Sequence, residues 1–412
     1  MWQAIRRNDK EDYLRIFIND RPGHPFQIQL SRQLAAQGHE VLHCYGRFFQ
    51  SPRGTLQKQA DDPPSLRIVG LELPEPFQKY SFVKRLFQEI QYGRLLIPEI
   101  EQFQPDVVMF ANTPSEAQWL VYRHFRRQKL PFVYWLQDVY GIAITKILRK
   151  RIPLLGNLVG QIYIWLDRQM LRQSVQIVLI TEDFRPILQQ WRIPDAKIHV
   201  IPNWAPIEGL PVGQKQNPWA VAHGLENNFC FLYSGTLGMK HNPDLLRQLA
   251  QQYQHQPEVR VVVISEGLGA DWLAEQRDLG QLTNLVLLPY QPFNQFADVL
   301  ATADVLVAIL EPDAGVFSVP SKVLSYLCAQ RPLLLAVPPE NLAARIVQQQ
   351  AAGLVNHPND AAAFLTHAAT LYTQPETRQQ MSAAARTYAE SQFAIDQITA
   401  QFSAILQRAI QG

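Results

Sequence analysis

Two short stretches of this chain set a lysine beside residues that free the backbone, a combination suited to holding an anion. In the first, Ser234-Gly235-Thr236-Leu237-Gly238-Met239-Lys240-His241-Asn242-Pro243-Asp244 follows the apolar run 229–233 and precedes a helical pattern with Leu245, Leu246 and Leu249. Gly235 and Gly238 let the main chain approach a ligand with no Cβ in the way, and Lys240 adds charge just before the helix. In the second, Pro320-Ser321-Lys322 opens a helix after the small, acidic, turn-forming loop 311–319. Proline suits a first helical turn, whose N–H groups have no partner there anyway, and the neighbouring serines suit a cap. Unpaired N–H groups, the helix dipole and the Lys322 ammonium together make a phosphate pocket. The competing reading is an ordinary βαβ crossover with a solvated lysine. Two such turns in one half of the chain favour the anion site, because in an open parallel sheet both lie at the carboxyl ends of strands and face one crevice.

Such turns need a scaffold. Residues 303–310 are a β-branched, apolar run of buried-strand length, and the stretch through 336 reads as strand, loop, helix, strand. Near the start, 14–19 reads as a strand, 20–25 as a loop, 26–37 as a helix and 41–45 as the next strand, which is a βαβ unit. Apolar runs at 66–69, 107–110, 132–136, 177–180 and 197–201 continue the series. A long helix is expected over 77–100, with Phe82, Leu86, Phe87 and Ile90 on one side. Residues 205–228 are rich in proline, glycine and asparagine with little periodicity, which marks a linker. Strands recur at 229–233, 259–264, 285–288, 305–310 and 332–337, and helices at 361–371, 376–392 and 394–410 follow. Strand–helix alternation on both sides of a linker predicts an α/β fold with doubly wound parallel sheets.

With 412 residues, 47% hydrophobic and 18% charged, the chain has material for two ordinary domains of roughly 100–200 residues each. A net charge of +2 without a long basic run gives no reason to expect nucleic acid as a partner, so anion binding must be local. Cys44, Cys230 and Cys328 are far apart in apolar surroundings, which argues against a disulfide framework or a cysteine zinc site and for a reducing cytosol. The opening MWQAIRRNDKEDY has basic residues but no apolar segment after them, so it reads as a loose leader rather than a secretory signal. The longest apolar candidate, 152–166, is interrupted by Asn157 and Gln161 and is shorter than the roughly 20 residues that span a bilayer.

YSGTLGMKHNPDLL (233–246), VLLPYQPFNQFADVLATADVLVAI (286–309) and SVPSKVLSYLCAQRP (318–332) together resemble the C-terminal half of a glycosyltransferase family 4 enzyme, in the branch that builds bacterial capsule, exopolysaccharide or O-antigen. The first half is similar more loosely, through its opening strand and loop, WLQD at 135–138 and KIHVIPNW at 197–204. The resemblance implies the GT-B fold: two Rossmann-like doubly wound domains facing a central cleft. It places an acceptor-binding domain at 1–205, a linker at 206–228, a nucleotide-sugar domain at 229–392 and a C-terminal helix, 393–412, crossing back to the first domain. The implied activity is a retaining hexosyl transfer from a UDP- or GDP-linked donor to a glycan or polyprenyl-linked acceptor, in the cytoplasm and without a cofactor.

A diphosphate leaving group needs its growing negative charge stabilised, by a divalent ion on carboxylates or by fixed cations and helix N-termini. The chain has no Asp-x-Asp, which favours the second solution. Lys240 and Lys322 are then the cations, with backbone N–H groups near Gly235, Gly238, Val319 and Ser321 completing the cradle. The chain departs from the family pattern in three places. Thr236 stands where relatives carry an arginine, and Phe317 and Ser325 stand where they carry two glutamates, the second of which grips the ribose. Lys322 is then the substitute for the arginine, and Glu311 or the Ser325 hydroxyl for part of the ribose contact. The resemblance points to main-chain groups at Pro289 and Tyr290 and to the loop Ser265-Glu266-Gly267 for the base. In the first domain it points to His24, in the place of an acceptor loop, and to Asp138 at a strand end, either of which could orient or deprotonate an acceptor hydroxyl.

Lys146, Arg149, Lys150 and Arg151 precede the apolar stretch 152–166, and Arg168 and Arg172 follow it. That pattern suits peripheral contact with an anionic membrane face; the alternative is a buried helix with solvated ends. Two alternatives stand beside this reading: a catalytically silent nucleotide-sugar-binding partner of another transferase, which the missing glutamates favour, and a GT-B-fold epimerase, which needs a carboxylate pair that the sequence does not display.

Overall fold

The apolar runs become two sheets in which every strand pairing is parallel. Parallel sheets are covered by helices on both faces, so their strands read as continuous apolar runs rather than alternating ones. The computed structural model describes residues 13–48, 54–78, 81–312, 315 and 320–411, with the side chains of 150, 151, 153 and 240 outside the description. All but the last residue of the expected leader 1–13, as well as Phe317 and Val319, lie outside the described residues.

The first of two units runs up to Pro202 and takes in the chain again from Ile395. Its elements are β1 (Arg15–Asp20), α1 (Pro25–Ala36), β2 (Glu40–Gly46), β3 (Leu66–Leu71), α2 (Phe82–Phe103), β4 (Val107–Ala111), α3 (Ser115–Phe125), β5 (Phe132–Leu136), α4 (Tyr140–Arg151), α5 (Pro153–Gln173), β6 (Gln176–Leu179), α6 (Arg185–Gln190) and β7 (Ile198–Val200). The strand order is β3-β2-β1-β4-β5-β6-β7, which reverses direction between β1 and β4. The helix expected over 77–100 is shifted to Phe82–Phe103, and its buried face carries Gln88, Glu89, Tyr92, Leu96 and Phe103 rather than Phe82 and Phe87, which are exposed.

The second unit spans Asn203–Ala394. It contains α7 (Pro218–Ala222), β8 (Phe229–Ser234), α8 (Asp244–Gln252), β9 (Val259–Ile264), α9 (Leu268–Leu279), β10 (Leu285–Leu288), α10 (Phe296–Thr302), β11 (Val305–Ile309), α11 (Ser321–Cys328), β12 (Leu333–Ala336), α12 (Leu342–Gln349), β13 (Gly353–Asn356), α13 (Ala361–Thr373) and α14 (Pro375–Gln392). The order β10-β9-β8-β11-β12-β13 reverses between β8 and β11. Phe231, Val261, Val263, Val307 and Leu334 of the strands meet Leu245, Leu249 and Phe364 of the helices in one core. The short strand β13 was not anticipated. Residues 205–228, read as a linker, are packed into this unit: Asn217 caps α7 through the Ala220 N–H at 2.9 Å and donates to the Asp298 carbonyl at 3.0 Å, with Trp219 buried beside it.

The last helix, α15 (Ile395–Gln411), lies on the first unit. Phe402 is fully buried with its ring 4.7 Å from that of Trp135 on β5, and Gln33 of α1 donates to Asp396 at 2.6 Å. Removing a buried phenyl loses its transfer free energy and leaves a cavity. Phe402→Ala is therefore expected to destabilise the first unit by about 3–5 kcal/mol, measured as a lower midpoint of that unit's transition in urea.

Candidate functional site

In an open parallel sheet the loops after the two strands at the reversal point leave towards opposite faces, which opens a crevice at the carboxyl ends of those strands. In the second unit those strands are β8 and β11, and the two lysine-bearing turns are the segments that follow them. Tyr326 of α11 ties them together: its hydroxyl accepts the Ser234 N–H at 2.9 Å and donates to the Ser234 carbonyl at 3.1 Å. One turn earlier on the same helix, the Lys322 ammonium donates to the Tyr233 hydroxyl at 2.6 Å and stands 3.8 Å from the centre of that ring. The Tyr233 hydroxyl in turn donates to the Thr236 carbonyl at 2.7 Å.

Gly235 has φ +128°, a backbone that L side chains rarely adopt, and a Cβ there would lie 3.1 Å from both Cε and Nζ of Lys322. The glycine thus serves the approach of the lysine as well as the turn. Lys322 is half-buried, and burial pushes its ammonium down to about 7. Among the described residues no carboxylate pairs with it. A half-buried ammonium with only a phenol for company is short of negative charge, and an anion would restore its pKa.

The loops after β9 and β10 reach the same place. Thr236 Oγ1 is 3.2 Å from the Tyr290 hydroxyl, and the Tyr290 N–H donates to Glu266 at 3.3 Å. The Gly269 N–H donates to the Leu237 carbonyl at 3.1 Å, an approach that only glycine permits because a Cβ at 269 would lie 2.4 Å from that oxygen. Gly235, Thr236, Glu266, Tyr290 and Lys322 are thereby brought together. The Gly238 N–H is occupied by His241 Nδ1 at 3.0 Å, so it does not face outward as a free donor. Ser321 is exposed and, like the N-cap Pro320, gives α11 no side-chain cap; Ser325 is half-buried a turn further along. Lys240 sits in a single 3-10 turn, Met239–His241, just before α8.

In the first unit the reversal point is β1/β4, and His24 follows β1 as the N-cap of α1. Its Nδ1 lies 3.3 Å from Asp20 Oδ1 and 3.2 Å from Asn112 Nδ2, two partners that ask for opposite protonation. Burial disfavours the imidazolium, but the carboxylates of Asp20 and Asp138 outweigh it and the His24 pKa is raised. Asp138, just past β5, is pushed up to about 6 by burial, with the His24 charge opposing. The two residues therefore sense one another, with the His24 pKa raised and that of Asp138 pushed up to about 6, an arrangement that suits proton transfer.

Three features here escaped the sequence reading. Arg21 pairs with Glu89 of α2 in a buried ion pair, with Arg85 a further 3.5 Å contact to the same carboxylate. Asn112, at φ +47°, faces His24. Asp167 of α5 accepts from Ser115 and from the Gly141 N–H at 2.6 Å, anchoring the starts of α3 and α4, and burial pushes it up to about 7. Only Asn112, at the end of a strand flanking the reversal point, carried a usable signal. Among the described residues, no three His, Cys, Asp or Glu side chains converge as a metal-binding group.

Residues 27–204 match the Glycosyl transferase 4-like domain and residues 216–388 match Glycosyl transferases group 1. No curated protein sequence matches the chain. Among solved structures, Anabaena HepE in complex with UDP is similar at a TM-score of 0.69 and 13% identity, over 95% of this chain and 99% of that one. Sucrose-phosphate synthase from Thermosynechococcus elongatus gives 0.71 and 13% over 95% and 98%. WaaG, a glycosyltransferase involved in lipopolysaccharide biosynthesis, gives 0.64 and 15% over 95% and 99%. These likenesses establish the fold, and the two domain matches supply the family: the chain belongs to the glycosyltransferases of GT-B fold that join a 4-like domain to a group 1 domain.

Proposed function

We propose that this glycosyltransferase moves a hexosyl group, with retention and without a metal, from a nucleotide sugar to a lipid-linked glycan at the cytoplasmic face of a membrane, in the assembly of a surface polysaccharide. The observation that carries the donor side is Lys322, seated over Gly235 at the β8/β11 reversal point and paired with no carboxylate among the described residues. The HepE structures with UDP and with UDP-glucose support a UDP-linked donor, and the role of WaaG in lipopolysaccharide supports a glycan acceptor. Retention and the surface-polysaccharide setting rest on the family resemblance.

In this reading Lys240 and Lys322 meet the diphosphate, with the Gly235 turn close against it, while Thr236, Glu266, Tyr290, Val319, Ser321 and Ser325 line the nucleotide. As the bond from the anomeric carbon to the diphosphate breaks, its electron pair stays on the phosphate oxygen beside fixed positive charge. The acceptor oxygen forms the new bond to that carbon, and its proton passes to Asp138 or His24.

Lys240→Ala and Lys322→Ala are each expected to weaken UDP binding about tenfold or more; native affinity in both would remove the diphosphate from these turns. Because Lys322 titrates near 7 when free and an adjacent diphosphate favours the ammonium, its contribution is complete below that pH. Above it, binding must take up a proton, so affinity declines by up to about tenfold per pH unit until the bound-state pKa is reached. Calorimetric titration with UDP across that range reads this loss as the difference between the native chain and Lys322→Arg, whose cation does not titrate. Slow hydrolysis of UDP-glucose is expected to be insensitive to EDTA. It is expected to fall roughly a hundredfold in Asp138→Asn with UDP affinity retained; saturable binding without any hydrolysis in the native chain would indicate a silent binder instead.

A further inference from the structure

The α4–α5 pair is packed inside out. In water, two antiparallel helices normally bury their large apolar residues against each other and turn polar ones outward. Here the seam is glycine: a Cβ on Gly156 would lie 2.4 Å from the Leu148 carbonyl oxygen, one on Gly160 2.3 Å from Thr145 Oγ1, and one on Gly141 2.7 Å from the Ile164 nitrogen. Several large apolar side chains face out, while Tyr163, Leu166, Met170 and Leu171 are buried. Leu154 is 90% exposed and Leu155 and Leu158 63% each, and Ile162 and Trp165 continue the same stripe along α5. Phe82 of α2 meets the ring of buried Tyr163 on α5 edge-on at 6.2 Å, and Phe87 on α2 is 67% exposed.

Exposed charge on the first part of the hairpin has one sign, and the hairpin's one acidic residue, Asp167, is buried. From Tyr140 to Leu166 there is no aspartate or glutamate, while Lys146, Arg149, Lys150 and Arg151 all fall there. Lys146 and Arg149 are exposed on α4. Small residues at a helix–helix seam with bulky apolar residues facing outward is the arrangement used where the surroundings are lipid. Among the described residues no helix is long and apolar enough to cross a membrane.

We propose that the α4–α5 hairpin lies in the headgroup–acyl boundary of an anionic bilayer, with Leu154, Leu155, Leu158 and Ile162 immersed and Lys146 and Arg149 reaching lipid phosphates. The stripe supplies affinity that salt does not screen, and the basic residues supply selectivity for anionic lipid. The inference deepens the reading of a lipid-linked acceptor and rests on it for its purpose. α4 begins two residues after Asp138, so the hairpin leaves the edge of the first sheet that carries the residues assigned to the acceptor.

Flotation of the full chain with phosphatidylcholine vesicles, with and without phosphatidylglycerol, tests this and needs no donor. The chain is expected to float with the anionic vesicles and to keep a substantial part of that binding at about 0.5 M salt. Leu154→Glu with Leu158→Glu is expected to lower partitioning about tenfold or more at both salt concentrations, with an unchanged melting temperature because both side chains are already exposed. Neutralising Lys146 and Arg149 to glutamine is expected to matter at low salt only. No flotation, flotation abolished by salt, or flotation unaffected by the two glutamates overturns the proposal. So does a concentration-dependent dimer that the glutamates dissociate, which assigns the stripe to a second copy of the chain. Loss of UDP binding alongside normal flotation would count against the donor site alone.

Discussion

A single phenol holds the lysine-bearing end of the second unit in shape. Tyr326 fills both hydrogen-bonding groups of Ser234, the last residue of β8, and so fixes α11 against the strand it flanks at the sheet's reversal point. With the helix held there, the Lys322 ammonium sits above Gly235, where a Cβ would press on it at 3.1 Å. The result is a cation brought out of water with a tyrosine hydroxyl rather than a carboxylate beside it. Burying charge without a counter-ion is unfavourable, and the depressed pKa records that. A protein carries such a group where something else supplies the missing charge.

The first unit solves a different problem at its own reversal point. There the buried Arg21–Glu89 pair neutralises itself within the fold, while His24 and Asp138 both have raised pKa values. Nδ1 of His24 stands between a carboxylate and an amide, so gain or loss of one proton changes which of them it bonds. That arrangement suits the handling of a proton rather than the holding of a charge, and the difference follows from the groups packed at each strand end.

Much of the architecture was legible because parallel strands are buried on both faces and announce themselves as unbroken apolar runs. Strands at 132–136, 259–264 and 285–288 fall where the pattern puts them. Helix faces were less legible. The apolar side chains Phe82 and Phe87 suggested one buried face of α2, yet Glu89 turns inward because Arg21, 68 residues earlier, waits there. The proline-rich stretch before β8 looked like a linker, but Asn217 and Trp219 find partners on α10 and beyond it that no local pattern discloses.

What the chain's order of residues determined by itself was the pair of glycine- and proline-marked turns, each with a lysine, and the strands that had to precede them. Local backbone preference and burial period are properties of neighbouring residues, so they survive being read in one dimension. Only the tertiary structure decided that Lys322 rests on Gly235 and Tyr233, that Gly238 spends its N–H on His241, and that Leu154, Leu155 and Leu158 of α5 face outward while Gly156 and Gly160 face α4. Each of those depends on which surface packs against which, a choice made by the whole fold through shape and desolvation and not by any short stretch of sequence.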